Sequence, residues 1–147
     1  MICRMTEHAL DRVIWQLRRA EIAVQAEKER RLRPLGLLAS HYSVLISLGK
    51  NPGLTGAELA RRLGVSPQNI AGLAVRLVEH GLIERRRHPT HRHVLEMHLT
   101  ERGTTILAAA DEVVADIEAS VVATLGEADA DQLRKLLTSL TDGLEKS

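Results

Sequence analysis

The sequence contains no phenylalanine, one tryptophan (Trp15) and one tyrosine (Tyr42). A core nearly without aromatics must be built from Leu, Val, Ile and Ala, and their helical spacing along this chain points to a mostly helical protein. A single cysteine, Cys3, excludes an internal disulfide framework. It precedes the first helix with only Arg4 beside it to favour a thiolate, so no redox role is expected of it. No apolar run is long enough to span a bilayer and no charged-then-apolar leader opens the chain, so a cytoplasmic protein is expected, away from membranes. Also missing are a Gly-rich phosphate loop, a nucleophile–base pair, and a carboxylate pair outside helix caps and solvated faces. Neither an enzyme nor a cofactor is expected.

What is present is enough for a folded domain: 147 residues, 44% hydrophobic and 27% charged. The net charge of +1 hides an uneven distribution. Residues 50–99 carry 8 Lys/Arg against 4 Asp/Glu and hold five of the seven histidines, whereas residues 100–147 carry 4 against 10. A basic middle beside an acidic tail is the pattern of a chain whose middle faces a polyanion.

Along the chain, Thr6 caps a first helix that runs to about Arg33, with Leu10, Val13, Ile14 and Leu17 as its apolar stripe. A second helix covers about residues 40–48 and closes in the turn Lys50-Asn51-Pro52-Gly53. Thr55-Gly56-Ala57-Glu58 is a capping box, opening a short helix that Gly64 stops. Ser66-Pro67 restarts a helix at once, with Ser as N-cap and Pro at the first helical position. Two helices joined by a tight Gly-containing turn form a helix-turn-helix. The restarted helix buries Ile70, Leu73, Ala74, Leu77 and Val78, and turns Gln68, Gly72, Val75, Arg76 and Glu79 outward. Residues 82–87 and 93–99 read as two strands with the hairpin tip His88-Pro89-Thr90-His91-Arg92 between them. A long helix starts at the Thr100 cap and breaks at Gly126. The last helix carries Leu133, Leu136, Leu137, Leu140 and Leu144 on one face.

A helix-turn-helix followed by a basic hairpin is a winged helix, mostly α with a small β-hairpin wing. Its recognition helix enters the major groove of duplex DNA, and its wing crosses the backbone toward the minor groove. Gln68 and Asn69 are amides of the kind that pair with adenine edges, Arg76 reaches phosphate or guanine, and Ser66 with the free N–H groups around it suits a phosphate. In the Arg85-Arg86-Arg87 strand, alternation lets only some face DNA, and Arg85 and Arg87 share a side. At the tip, His88, His91 and His93 surround Arg92 and are expected to lie against phosphates. Imidazoles titrate near neutrality, so DNA affinity is expected to fall as pH rises. His88, His91 and His93 supply at most three mobile ligands where a structural zinc takes four, so no metal is expected.

These motifs, in this order and spacing, resemble the MarR family of bacterial regulators over nearly the whole chain. The resemblance rests on Leu35-Gly36-Leu37, on residues 53–60 (Gly-Leu-Thr-Gly-Ala-Glu-Leu-Ala), and on Leu63-Gly64-Val65-Ser66. It continues through residues 77–85 (Leu-Val-Glu-His-Gly-Leu-Ile-Glu-Arg) and Leu99-Thr100-Glu101-Arg102-Gly103. It implies a homodimer built from residues 1–34 and 101–147, a DNA-binding lobe at 35–100, and a signal that changes DNA affinity. Recognition-helix positions carry over to Ser66, Gln68, Asn69, Ala71 and Arg76. The sequence departs from the family at Gly72, where Arg is common, and at His91-Arg92-His93, where the wing often reads Asp-Arg-Arg.

The expected function is therefore sequence-specific binding of double-stranded DNA as a homodimeric repressor responsive to a small-molecule effector. Trp15 and Tyr42 border the cleft between the dimer and DNA lobes and are the candidate ligand-pocket residues. The apolar stripes of the flanking helices expose too much surface for a monomer. The competing expectation is a winged-helix protein-interaction module that has lost DNA, which Gly72 and the altered wing favour.

Overall fold

The computed structural model describes residues 8–147. Thr6, expected to cap the first helix, and Cys3 lie outside the described residues. The elements in chain order are α1 (Val13–Leu32), a 3-10 turn (Arg33–Leu35), α2 (Ala39–Lys50), β1 (Leu54–Thr55), α3 (Gly56–Leu63) and α4 (Pro67–Glu79). They continue with β2 (Ile83–Arg87), β3 (Leu95–Leu99), α5 (Glu101–Leu125) and α6 (Glu127–Glu145). The chain divides into two compact units, one up to Asp111 and the other Glu112–Ser147. Among the described residues no helix is long and apolar enough to cross a membrane.

The first helix is not continuous. Residues 8–10 are helical, but Arg12 is extended and the chain restarts at Val13. The carbonyl of Leu10, freed by the break, accepts from the side-chain amide of Gln16 at 3.3 Å.

The unit up to Asp111 is built around α2, α3, α4 and the sheet. Its largest fully buried side chains are Leu32, Val44, Leu45, Leu48, Leu59, Ile70, Leu77 and Ile83. Val78, expected in this core, is 38% exposed, while its neighbour Leu77 is fully buried, so the buried stripe of α4 is narrower at its end than the period suggests. The capping box forms: Thr55 Oγ1 accepts from Glu58 N at 3.2 Å, while Glu58 Oε2 accepts from Thr55 N at 2.8 Å. Gly64 takes the left-handed conformation (φ 64°) that closes α3. Ser66 Oγ then accepts from Asn69 N at 3.1 Å and starts α4.

The sheet has three antiparallel strands in the order β1-β3-β2, with Leu54 opposite Met97 and Arg85 also opposite Met97. The two-residue strand β1 was not foreseen, being too short to carry an alternation. The second wing strand begins at Leu95 and not at 93, because Val94 N donates to His91 O and Val94 O accepts from His88 N, both at 2.9 Å. Those two bonds close the hairpin through residues 88–94.

In the unit Glu112–Ser147, the rest of α5 and α6 carry Ile117 and Ala130 buried, and Arg134 donates to Glu118 at 2.9 Å and to Asp131 at 3.0 Å. The leucines of α6 are left open: Leu136 is 57% exposed and Leu144 69%.

Candidate nucleic-acid interface

The turn between α3 and α4 places the first turn of α4 at the surface, where Ser66 takes the N–H groups of Asn69, by its hydroxyl, and of Ile70, by its carbonyl. Ser66, Gln68, Asn69, Ala71, Gly72, Val75 and Arg76 are all exposed. At 3.6 residues per turn, Gln68, Gly72, Val75 and Glu79 form one straight row along the outer face, with Ala71 on one side of it and Arg76 on the other. This is the face that the sequence assigned to DNA.

The wing holds the second group of expected residues. Arg85, Arg87, His91, Arg92 and His93 are exposed as well. Arg86 sits on the other side of β2, where its Nε donates to Glu84 Oε1 at 2.7 Å. The alternation expected for this strand thus leaves Arg85 and Arg87 without an acidic partner among the described residues and ties Arg86 to its own strand.

His88 behaves differently from its neighbours. Its Nδ1 accepts from both Thr90 N and His91 N at 3.1 Å, and its Nε2 lies 3.7 Å from Glu96 Oε1. The other Glu96 oxygen is 3.2 Å from His98 Nε2. A ring that accepts at Nδ1 carries its proton at Nε2, toward Glu96. His88 is therefore a structural fastener of the wing tip, and the outward imidazoles are His91 and His93. The His88 and His91 ring centroids are 5.2 Å apart, and those of His91 and His93 6.2 Å. Among the described residues no group of three or more His, Cys, Asp or Glu side chains is placed to hold a metal.

Trp15 and Tyr42, the expected ligand-pocket pair, differ in setting. Tyr42 is buried and its hydroxyl donates to Asp111 Oδ1 at 2.8 Å; Trp15 is 43% exposed on α1. Neither lines an open cleft of about 550 Å³ among α2, the wing strands and the start of α5. Its polar lining includes Lys50, Arg86, His98, Thr104 and Asp111 over apolar Ile46 and Leu107. Sequence reasoning missed this cleft because its walls are far apart along the chain.

The start of α5 is fixed to the end of α4. Thr100 Oγ1 donates to Gly81 O at 2.6 Å and accepts from Gly103 N at 2.9 Å, while Thr100 N donates to Leu82 O at 3.1 Å. The residues following the recognition helix thus hold the N-terminus of the long helix.

Comparison with known proteins gives this geometry a family. A family model described as MarR family matches residues 35–92. The HTH-type transcriptional repressor Rv2887 of Mycobacterium tuberculosis is 31% identical over 124 residues, covering 84% of this chain and 89% of the relative. The solved structure of the transcriptional repressor CouR bound to a 23-mer DNA duplex is similar with a TM-score of 0.84 and 30% identity, over 89% of this chain and 93% of that one. Rv2887 in complex with salicylic acid is similar with a TM-score of 0.73 and 29% identity, over 88% and 96%. With the family model matched over the DNA-binding lobe and a relative matched over most of both chains, this chain belongs to the MarR family.

Proposed function

We propose that the protein is a homodimeric, ligand-responsive transcriptional repressor that binds duplex DNA sequence-specifically, and that it has no enzymatic activity. The observation that carries this reading is the exposed outer face of α4 with Arg76 at its margin, together with the exposed Arg85, Arg87 and Arg92 of the wing. Cations set beside a helix with hydrogen-bonding amides at its N-terminal end suit phosphates on either side of a major groove. The similarity to CouR on a DNA duplex supports the same use here. Dimerisation is supported by the exposed apolar side chains Val13, Ile14, Leu136, Leu140 and Leu144, a surface that calls for a covering partner. The open cleft, with Lys50 and His98 above an apolar floor, suits an aromatic acid of the size bound by Rv2887.

The test is selection of duplexes from a random-sequence library, followed by affinity measurements across a salt series with and without salicylate. Enrichment of a two-fold symmetric site whose affinity falls steeply with salt supports the reading. Failure to enrich any sequence would sink it and favour a protein-binding winged helix, the reading to which the missing side chain at Gly72 lends weight.

A further inference from the structure

Gly72 has no structural reason to be glycine. It lies in the middle of α4 and is not among the glycines with positive φ. A β-carbon placed on it would meet nothing within 4 Å. Mid-helix glycine is destabilising relative to alanine, and neither packing nor backbone conformation requires it here. Three residues further along the same row stands Val75, 46% exposed, an apolar branched side chain on a face that is otherwise solvated. Between Gln68 and Glu79 the centre of the outer face therefore offers no hydrogen-bonding side chain. It has a bare Cα, one isopropyl group, and the methyl of Ala71 at its edge.

Resting on the reading of α4 as the recognition helix, we infer that Gly72 and Val75 form a seat for the C5-methyl group of a thymine. In the major groove the thymine methyl is the apolar group that the base edges present for contact with aliphatic side chains. The absent side chain at Gly72 lets the base edge approach the helix axis, and Val75 covers the methyl from the side. Gln68, one turn toward the N-terminus, reads the neighbouring pair by its amide, while Arg76 holds the backbone. Specificity at the centre of each half-site then comes from shape and apolar burial, where an Arg at position 72 would instead have reached a guanine or a phosphate. Glu79 ends the row where the C-terminal part of the helix leaves the groove.

Replacing thymine by uracil removes only the methyl and leaves the hydrogen-bonding edge intact. The experiment measures affinity of the full-length protein for its selected duplex with each thymine replaced in turn by uracil. At one symmetry-related position, uracil should weaken binding about fourfold per methyl, the burial of one carbon. Val75→Ala should abolish that thymine–uracil difference. Gly72→Ala should keep or raise Tm, since its new methyl meets no protein atom, yet bind the thymine duplex more weakly and prefer uracil there. The methyl has then moved from the base to the protein. Specific binding with the same affinity for every thymine and uracil duplex overturns the seat while leaving the DNA reading intact. An unchanged thymine preference in both variants likewise overturns it. Failure of the selection itself removes both.

Discussion

Gly103 lies so close to the backbone of Leu82 that a β-carbon on it would fall 1.9 Å from the Leu82 carbonyl oxygen. That oxygen accepts from Thr100 N, so it cannot swing away without releasing the cap of α5. The long helix and the end of the recognition helix are thus joined through backbone contact that only glycine permits. Gly103→Ala is expected to destabilise the protein by at least about 3 kcal/mol, the upper range for overpacking. Gly72→Ala, with open space around it, should be neutral or stabilising by up to about 1 kcal/mol. Urea denaturation of both variants, followed by circular dichroism, makes the comparison. Equal stabilities would refute the close-approach argument.

Tyr42 and Asp111 link α2 to α5 by a hydrogen bond of 2.8 Å. Burial first, then the hydrogen bond to the Asp111 carboxylate, push the Tyr42 phenol up to about 12. A folded-state value above the ordinary 10 means that the protonated phenol is favoured in the native protein. Its contribution is complete below pH 10 and is lost as pH rises from 10 toward 12. Tyr42→Phe is expected to cost about 1.5–3 kcal/mol near neutrality, a hydrogen bond to a charged group. It should also flatten the alkaline loss of stability. Unfolding curves for the two proteins that run parallel through the alkaline range would count against this.

Much of this architecture was legible before any coordinates. Thr55 with Glu58, Ser66 with Pro67, and Gly64 between them are local signals, and local hydrogen bonds within a few residues make each one form. The exposed positions of the recognition helix followed from its period alone. What escaped was of longer range or of inverted logic. β1 exists only because Leu54 and Thr55 pair with Met97 and Glu96, more than 40 positions away. His88 was grouped with the solvent-facing histidines because nothing in the sequence tells that its ring turns back onto Thr90 N and His91 N. The break at Arg12 was hidden inside an unbroken apolar period.

The proposed homodimer makes its own prediction. Leu136 and Leu140 are 57% and 39% exposed on one face of α6, and a charge there would oppose burial against a second copy. Leu136→Glu is expected to yield a monomer, or an unfolded chain, in light scattering at micromolar concentration. DNA affinity should fall with it, because two lobes must engage adjacent half-sites together. A folded native monomer would exclude the homodimer.

The division of labour on α4 can be separated by salt. Arg76→Ala should weaken binding to selected and random duplexes alike and lower the salt slope by about one. Gln68→Ala or Asn69→Ala should instead reduce the ratio of selected to random affinity, with the salt slope unchanged. If the amide variants kept the wild-type ratio, base reading would have to be assigned elsewhere.

His41 gives the protein an acid sensitivity of its own. It is 4% exposed; its Nδ1 accepts from Leu38 N at 3.2 Å, and its Nε2 is buried without a hydrogen-bond partner among the described residues. Burial, then His80 just past α4 and Arg76 within it, hold its pKa below the ordinary 6.5, against a smaller opposing pull from Glu29 of α1. A folded-state value below the unfolded one means that the unfolded chain binds the proton first. The neutral ring's contribution is therefore complete above about pH 6.5 and is lost as pH falls below it, with a slope of at most about 1.4 kcal/mol per pH unit. Protonation also turns Nδ1 from acceptor to donor, releasing Leu38 N at the start of α2. His41→Asn keeps a side-chain oxygen within reach of that N–H but does not titrate. Between pH 5 and 7.5 its stability should change less than that of the native protein, the other six histidines being common to both. Resonances of the His41 ring, followed by NMR, should stay neutral to a pH below the ordinary 6.5. A His41 ring that titrates at or above the ordinary value, or a variant whose stability tracks the native protein throughout, would remove His41 as the source.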